Sequence, residues 1–306
     1  MAFTYSHQFP RELITHVTAI LGDKGRMWLD DLPTLVDELS DSWDLTVDAP
    51  FPAGEFNFVA PATRHRGDPA VLKIAPPYTD DEYIGEADFL EHRNGHGIVR
   101  LLERDHRRRA ILIERALPGK NLSELFTGSE SQAVGPAIDV LRTLLGEPPR
   151  QTMTRTLDRW FSGMRRSAGT AFPSDYVAKA FDIYERLSSQ TPGRTFYLHG
   201  DYHPGNIVSA DRSPYLAIDP KGIVGHIGYD IAVFLNNFHW WQETEADIDK
   251  RLDDALEQFS SAFGIDEREL REWSFAQTVL GAWWNFDDMP EMYESSTVAK
   301  ADIWNV

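Results

Sequence analysis

The chain has 306 residues, a hydrophobic fraction of 42% and no cysteine. That is enough apolar side chain for a sizeable core in two domains or lobes, while disulfide frameworks, thiolate catalysis and cysteine-based zinc sites are excluded. A formal net charge of −18 disfavours nucleic acid or an anionic membrane as the main partner.

Along the chain, PRELITHVTAIL and RMWLDDLPTLVDELSDSW carry apolar residues at helical spacing and predict two leading helices. The N-terminus shows no apolar run behind a basic region. Nor does any stretch approach the roughly 18–20 apolar residues of a membrane span. Both predict a soluble, cytoplasmic protein without a membrane partner.

FNFVAPA and PAVLKIA follow as a strand pair around a charged turn. Next come a helix near DDEYIGEADFLEHRNG and two strands, GIVRLLE and RAILIERA, joined by the basic turn RDHRRR. That turn could be read as a nucleic-acid patch, but a hairpin in an acidic protein favours a solvated turn. After LPGKNL the chain reads as helical, except for the short strand candidates TFYLHG and PYLAIDP. In the late helix ADIDKRLDDALEQFSSAFG, Ile248, Leu252, Leu256, Phe259 and Phe263 form an apolar stripe suited to core packing.

The two short strands bracket HGDYHPGNIV, residues 199–208. Its histidines sit four apart, but Gly200, Pro204 and Gly205 argue against the helix such a zinc pair needs, and no third ligand lies at a matching spacing. No serine stands between glycines as a nucleophile elbow requires. Phosphoryl transfer makes other demands. It needs an aspartate to orient the acceptor hydroxyl and take its proton, an asparagine five residues on for magnesium, and a second carboxylate at a nearby strand end. Asp201, Asn206 and Asp219 meet that spacing. A strand lysine fixed by a helix glutamate should hold the phosphates. Lys73 and Glu86 supply that pair, with Glu82, Asp88 and Glu91 as competitors for the helix role.

The order VLKIA, GEADFL, ILIERALPG, LHGDYHPGNIV, AIDPKG, GHIGYDIA resembles the aminoglycoside phosphotransferase family, over about residues 25–240. The pieces RMWLDDLPTLVDELSDSWDL, LIERALPGKNL and AIDPKG look closest to its streptomycin 6-phosphotransferase and hydroxyurea phosphotransferase branch. The resemblance implies an α+β, bilobal protein-kinase-like fold. A small antiparallel-sheet lobe with its leading helices, residues 1–115, would bind the nucleotide. A larger, mainly helical lobe, residues 116–306, would carry the catalytic loop and acceptor site.

The resemblance implies ATP and Mg²⁺ as cofactors and assigns roles accordingly. Asp201 is the catalytic base, Asn206 and Asp219 hold the metal, and Lys73 with Glu86 holds the α- and β-phosphates. The backbone carbonyl of Glu114 and the N–H of Ala116 read the adenine edge, His199 anchors the catalytic loop, and Asp230 braces it by accepting backbone N–H groups. Some kinase features are missing. The nucleotide loop offers only Gly54, Pro220 follows Asp219, and ten residues separate Asp219 from Asp230, leaving little room for an activation loop. A small-molecule kinase fits this better than a protein kinase.

From Trp241 to Val306 there are sixteen Asp and Glu against five Lys and Arg, so this tail carries −11 of the charge. Most of these carboxylates suit a solvated surface, but some could line a site for a cationic acceptor. Asp287, Asp288, Glu291 and Glu294, beside Trp283 and Trp284, are the candidates. His203 either touches the acceptor or phosphates or caps the loop, with capping favoured. The expected partner is a small, hydroxylated, cationic molecule, most simply an aminoglycoside of streptomycin type, acted on by a monomer or weak homodimer. Hydroxyurea, a sugar, an amino alcohol or a metabolite is the alternative acceptor, and a nucleotide-binding pseudoenzyme is the alternative class.

Overall fold

The computed structural model describes residues 9–52, 56–78, 82–148, 155–190, 195–240 and 245–306. Gly54 of the expected nucleotide loop lies outside them, as does the side chain of Ile248. The chain divides into two units, Met1–Leu117 and Pro118–Val306.

The first unit begins with helices α1 (Arg11–Leu21) and α2 (Asp23–Trp43), separated only by Gly22 at φ 56°. A left-handed backbone there ends one helix and starts the next, which glycine allows without steric cost. Gly25 lets the two helices touch, since a Cβ at that position would sit 2.4 Å from the Val17 carbonyl oxygen. Pro33 lies inside α2 without ending it.

A five-stranded antiparallel sheet follows. Its strands are β1 (Leu45–Val47), β2 (Phe58–Arg64), β3 (Pro69–Ile74), β4 (Leu101–Asp105) and β5 (Ala110–Glu114), in the order β1-β2-β3-β5-β4. Strand side chains alternate between faces. Phe58, Ala60, Ala62, Ala70, Leu72, Ile74, Ala110 and Leu112 therefore share one face and form a single core with Leu13 and Val17 of α1 and Trp28, Leu32, Val36 and Leu39 of α2. The alanines leave room for the helices to lie close. In the run GIVRLLE only the second half is strand, because Gly95 and Gly97 hold positive φ just ahead of it.

Helix α3 (Glu82–Arg93) buries Tyr83, Gly85, Glu86, Ala87, Phe89 and Leu90. The Tyr83 hydroxyl lies 3.0 Å from the Asp105 carbonyl oxygen and 3.3 Å from that of Ala110, tying α3 to the β4–β5 hairpin.

The second unit combines the short helices α4 (Leu122–Leu125) and α6 (Leu157–Gly163) with the longer α5 (Val134–Leu144), α7 (Ser174–Gln190), α8 (Gly228–Trp240), α9 (Glu245–Phe263) and α10 (Glu267–Asp288). Helix α10 packs against both α7 and α8. Trp273, Trp283 and Trp304 are fully buried here, and Trp304 Nε1 donates to Asn236 Oδ1 at 2.9 Å. The stripe on α9 is core as expected for Leu252, Leu256 and Phe259, while Phe263 is only partly covered.

Two small antiparallel sheets interrupt the helices. One pairs β7 (Thr195–Leu198) with β10 (Ile223–His226). The other runs β6 (Pro118–Asn121), β8 (Ile207–Ala210), β9 (Tyr215–Ala217). Of these five strands, the sequence pattern marks only β7 and β9.

Candidate active site

In the first unit, alternation along β3 puts Lys73 on the face opposite Leu72 and Ile74, flanked by Val59 and Ile111 on the neighbouring strands. Aliphatic neighbours strip water from the ammonium, so it needs a partner. Glu86 supplies it, with Lys73 Nζ 2.7 Å from Glu86 Oε2 and both side chains less than a tenth exposed. The competing carboxylates are placed otherwise. Asp88 and Glu91 pair with Arg104 at 2.8 and 3.3 Å, and Glu82 is exposed. At the end of β5, Glu114 accepts the Arg100 N–H on its side chain (2.9 Å) and gives its own N–H to the Arg100 carbonyl (2.9 Å). Ala116, two residues on, is half-buried in the extended segment that closes the unit.

In the second unit, the strand registers bring two loops together. Loop 199–206 leaves β7 and enters β8; loop 218–222 leaves β9 and enters β10. Pairing of Ile207 with Ala217 sets Asn206 against Ile218, and the Ile218 N–H donates to the Asn206 carbonyl at 2.9 Å. Pairing of Leu198 with Ile223 sets His199 against Gly222, and the Lys221 and Gly222 N–H groups donate to the His199 carbonyl at 2.6 and 3.3 Å. The ladders thus hold the loops at both ends.

Side chains complete the arrangement. Asn206 Nδ2 donates to the Asp201 carbonyl oxygen at 3.0 Å and approaches Asp201 Oδ2 at 3.4 Å. With its nitrogen so engaged, the amide turns its Oδ1 away from Asp201. Asp219 adopts φ 59°, a left-handed backbone that aspartate tolerates better than most residues but that costs on the order of 1–3 kcal/mol when held. Lys221 Nζ lies 3.9 Å from a carboxylate oxygen of both Asp201 and Asp219. Gly200, at φ 84°, has no space for a side chain, because a Cβ would lie 3.0 Å from Lys221 Cβ and 3.3 Å from Trp160 Cη2.

His199 is buried. Its Nε2 lies 2.9 Å from the Ile218 carbonyl and must donate, while its Nδ1 accepts the Asp201 N–H at 3.3 Å. That pattern is the neutral imidazole, and burial holds its pKa down at about 3. Asp230, in the first turn of α8, accepts the N–H of Gly200 at 2.8 Å and of His199 at 2.9 Å. Burial pushes its carboxyl up to about 7, against the pull of those two donors and with a further push from Asp201. His203 accepts the Gly205 N–H on Nδ1 at 3.1 Å, capping the turn Pro204–Asn206, and its Nε2 stands 3.9 Å from Asp201 Oδ1.

The acidic candidates lie at the far end of α10 and beyond it. Asp287 is ion-paired to Arg166 at 2.5 Å, Asp288 and Glu291 are exposed, and Glu294 takes the Ser296 hydroxyl at 3.3 Å. Trp283 is buried and Trp284 is half-buried. Sequence reasoning missed Lys221, although it stands inside the quoted AIDPKG. It also missed Trp160, which meets the loop from 40 residues upstream and leaves no local signal.

The family model described as "Aminoglycoside/hydroxyurea antibiotic resistance kinase" matches residues 42–289. The chain belongs to this family. It is 28% identical over 306 residues to a streptomycin 6-kinase of Streptomyces glaucescens, covering 96% of each chain. It is also 28% identical over 302 residues to a hydroxyurea phosphotransferase of Kitasatospora aureofaciens, covering 97% of this chain and 85% of that one. Among solved structures, the aminoglycoside phosphotransferase APH(4)-Ia superposes with a TM-score of 0.64 at 15% identity, over 89% of this chain and 97% of the other. The choline kinase LicA from Streptococcus pneumoniae gives 0.62 at 10% identity, over 90% and 98%.

This family member is a phosphotransferase with the bilobal α+β kinase-like fold, an enzyme that phosphorylates hydroxyl groups. Among the described residues no helix is long and apolar enough to cross a membrane.

Proposed function

We propose that the protein is an Mg-ATP-dependent O-phosphotransferase for a small, hydroxylated, cationic acceptor of streptomycin type. The carrying observation is the gathering of Asp201, Asn206 and Asp219 on two loops clamped by two strand ladders. Asp201 orients the acceptor hydroxyl and takes its proton as that oxygen bonds to the γ-phosphorus and the bond to the leaving ADP breaks. Lys73, fixed by Glu86, holds the α- and β-phosphates. The Glu114 carbonyl and Ala116 N–H read the adenine edge.

The donor set fits magnesium, a hard cation that takes few protein oxygens and completes its shell with phosphate and water. Asn206 presents Oδ1 and Asp219 its carboxylate. Among the described residues, no group of three His, Cys, Asp or Glu gathers to hold a metal without a substrate. When bound, the ion would neutralise charge on the transferring phosphates. Lys221 sits between the two carboxylates and offsets their mutual repulsion. His199 and Asp230 position the loop. His203 caps it and stands near enough to Asp201 to meet the acceptor.

Asp288 and Glu291, both exposed, give the acceptor side its negative field, while the charge of Asp287 is balanced by Arg166. The relative named as a hydroxyurea phosphotransferase supports a second reading, a small neutral acceptor.

The test is ADP release by purified protein with Mg²⁺ and ATP, across streptomycin, hydroxyurea, sugars and amino alcohols. Streptomycin-dependent release is expected. ATP binding with no acceptor-dependent release would point to a pseudoenzyme. Release with sugars or amino alcohols but not streptomycin would overturn the acceptor class.

A further inference from the structure

We infer that Trp160 and Trp284 form an aromatic wall of the acceptor subsite that selects a cationic acceptor, a reading that rests on the phosphotransferase function proposed above. Trp160 lies on helix α6 (Leu157–Gly163), which packs on β10. Its Cη2 reaches to 3.3 Å of where a Gly200 Cβ would stand, so the ring tip abuts the backbone one residue before Asp201. Its ring centroid is 5.8 Å from that of Tyr229 on α8 and 5.1 Å from that of Trp284 on α10, the two indoles meeting edge to face at 88°. A line of aromatic rings therefore runs from the catalytic loop out to α10.

The exposure of these rings separates them from core. Tyr229 and Trp283 are buried and already have packing partners. Trp160 and Trp284 keep part of their surface open, so each has ring area left to meet a ligand. Because Trp160 abuts the residue before Asp201, an acceptor whose hydroxyl reaches Asp201 has this wall beside it to extend along.

The charge that suits the wall is positive, because an indole face attracts a cation through its ring quadrupole. One turn beyond Trp284 on the same face of α10 stand Asp287 and Asp288. The protein already seats a cation of its own there: the Arg166 guanidinium pairs with Asp287 at 2.5 Å and lies 5.9 Å from the Trp283 ring centroid. A surface that accepts an internal guanidinium between indole and carboxylate has the chemistry to accept an ammonium or guanidinium group of an acceptor beside it.

The experiment measures streptomycin affinity by calorimetry on full-length protein with Mg²⁺ and a non-hydrolysable ATP analogue, together with streptomycin-dependent ADP release. It compares wild type with Trp284→Leu, Trp284→Phe, Trp160→Leu and Trp160→Phe. Each Leu variant should weaken streptomycin binding and raise its KM by about 3- to 30-fold, the range a desolvated cation–aromatic contact supplies. Each Phe variant should recover most of that loss, and the loss should fall on the acceptor KM rather than on the KM for ATP. Unchanged streptomycin affinity in both Leu variants overturns the wall, as does equal loss in Leu and Phe variants or absence of streptomycin binding to wild type. If Trp160→Leu loses nucleotide binding because the loop shifts, Trp284→Leu decides, since it stands one ring further from the loop. Failure of the phosphotransferase reading shows separately, as streptomycin that binds tightly to wild type but releases no ADP.

Discussion

The two units hold their charged groups by opposite means. In the first, Lys73 is held by strand register and a buried ion pair with Glu86. In the second, Asp201 rests on a neutral histidine, a buried aspartate, an asparagine amide and two strand ladders. The difference concerns failure: removing Glu86 strips the buried ammonium of a counter-charge at once, whereas the loop has several supports to lose in turn.

The largest expected effect is chemical and leaves this scaffolding alone. Asp201→Asn removes the proposed proton acceptor while keeping the side chain's shape. Acceptor-dependent turnover should fall by about 10²- to 10⁴-fold, the usual worth of a positioned base. Mg-ATP binding, followed by titration, should persist. Near wild-type turnover would remove Asp201 from its role.

The next effect tests the buried ion pair. Glu86→Leu leaves a buried ammonium without its carboxylate and should cost about 3–5 kcal/mol of stability, seen as a lowered denaturation midpoint. Lys73→Met with Glu86→Leu together should regain most of that stability, because two apolar side chains of similar volume suit this site. Turnover should remain lost in the double variant. A double variant as unstable as the single one would mean that the pair does not account for the stability of this site.

Gly200→Ala probes the many-partner side. A Cβ there meets Lys221, Ile223 and Trp160 within 3.3 Å and forces a left-handed backbone on alanine. About 1–3 kcal/mol should be lost. Acceptor-dependent turnover should fall further than stability alone requires, since the strain lies one residue from Asp201. A variant that keeps full turnover would show that the loop absorbs the intrusion without moving Asp201.

The same contrast separates what the sequence made legible from what it hid. Lys73, Asp201, Asn206 and Asp219 stand out because phosphoryl transfer fixes residue type and spacing. Glu86 was one of four carboxylates on its helix, and only the fold separates it, since Arg104 arrives from β4 to take Asp88 and Glu91. Strands β6, β8 and β10 are each four residues long and lack the aromatic residues that mark β7 and β9, yet their pairing aligns the two loops. The acidic tail showed charge but not pairing, so Asp287 gave no sign of Arg166, 121 residues away. Lys221 and Trp160 owe their interest to tertiary proximity alone.

In the wild type a pH dependence is hidden by opposition within the loop's support. His199 has a pKa of about 3 in the fold against its ordinary 6.5. As pH falls below 6.5 the unfolded chain takes a proton that the folded chain refuses, so stability drops by about 1.4 kcal/mol per pH unit until about pH 3. Asp230 runs the other way, at about 7 in the fold against 3.8. Between those values the folded chain holds a proton that the unfolded chain has lost, so stability is greatest at the acid end and declines by the same slope as pH rises towards 7. From about pH 4 to 6.5 the two slopes cancel, and this pair adds no pH dependence to the wild type. Asp230→Asn should leave the histidine slope alone, making the protein progressively less stable on acidification relative to wild type. His199→Gln should leave the aspartate slope, making it relatively more stable as pH falls from 7 to 4. Denaturant midpoints at half-unit pH steps read both, and other carboxylates contribute equally to all three proteins. Two variants with the same slope relative to wild type would show that the imidazole and the carboxyl do not oppose each other, and that the loop is not held by a neutral histidine.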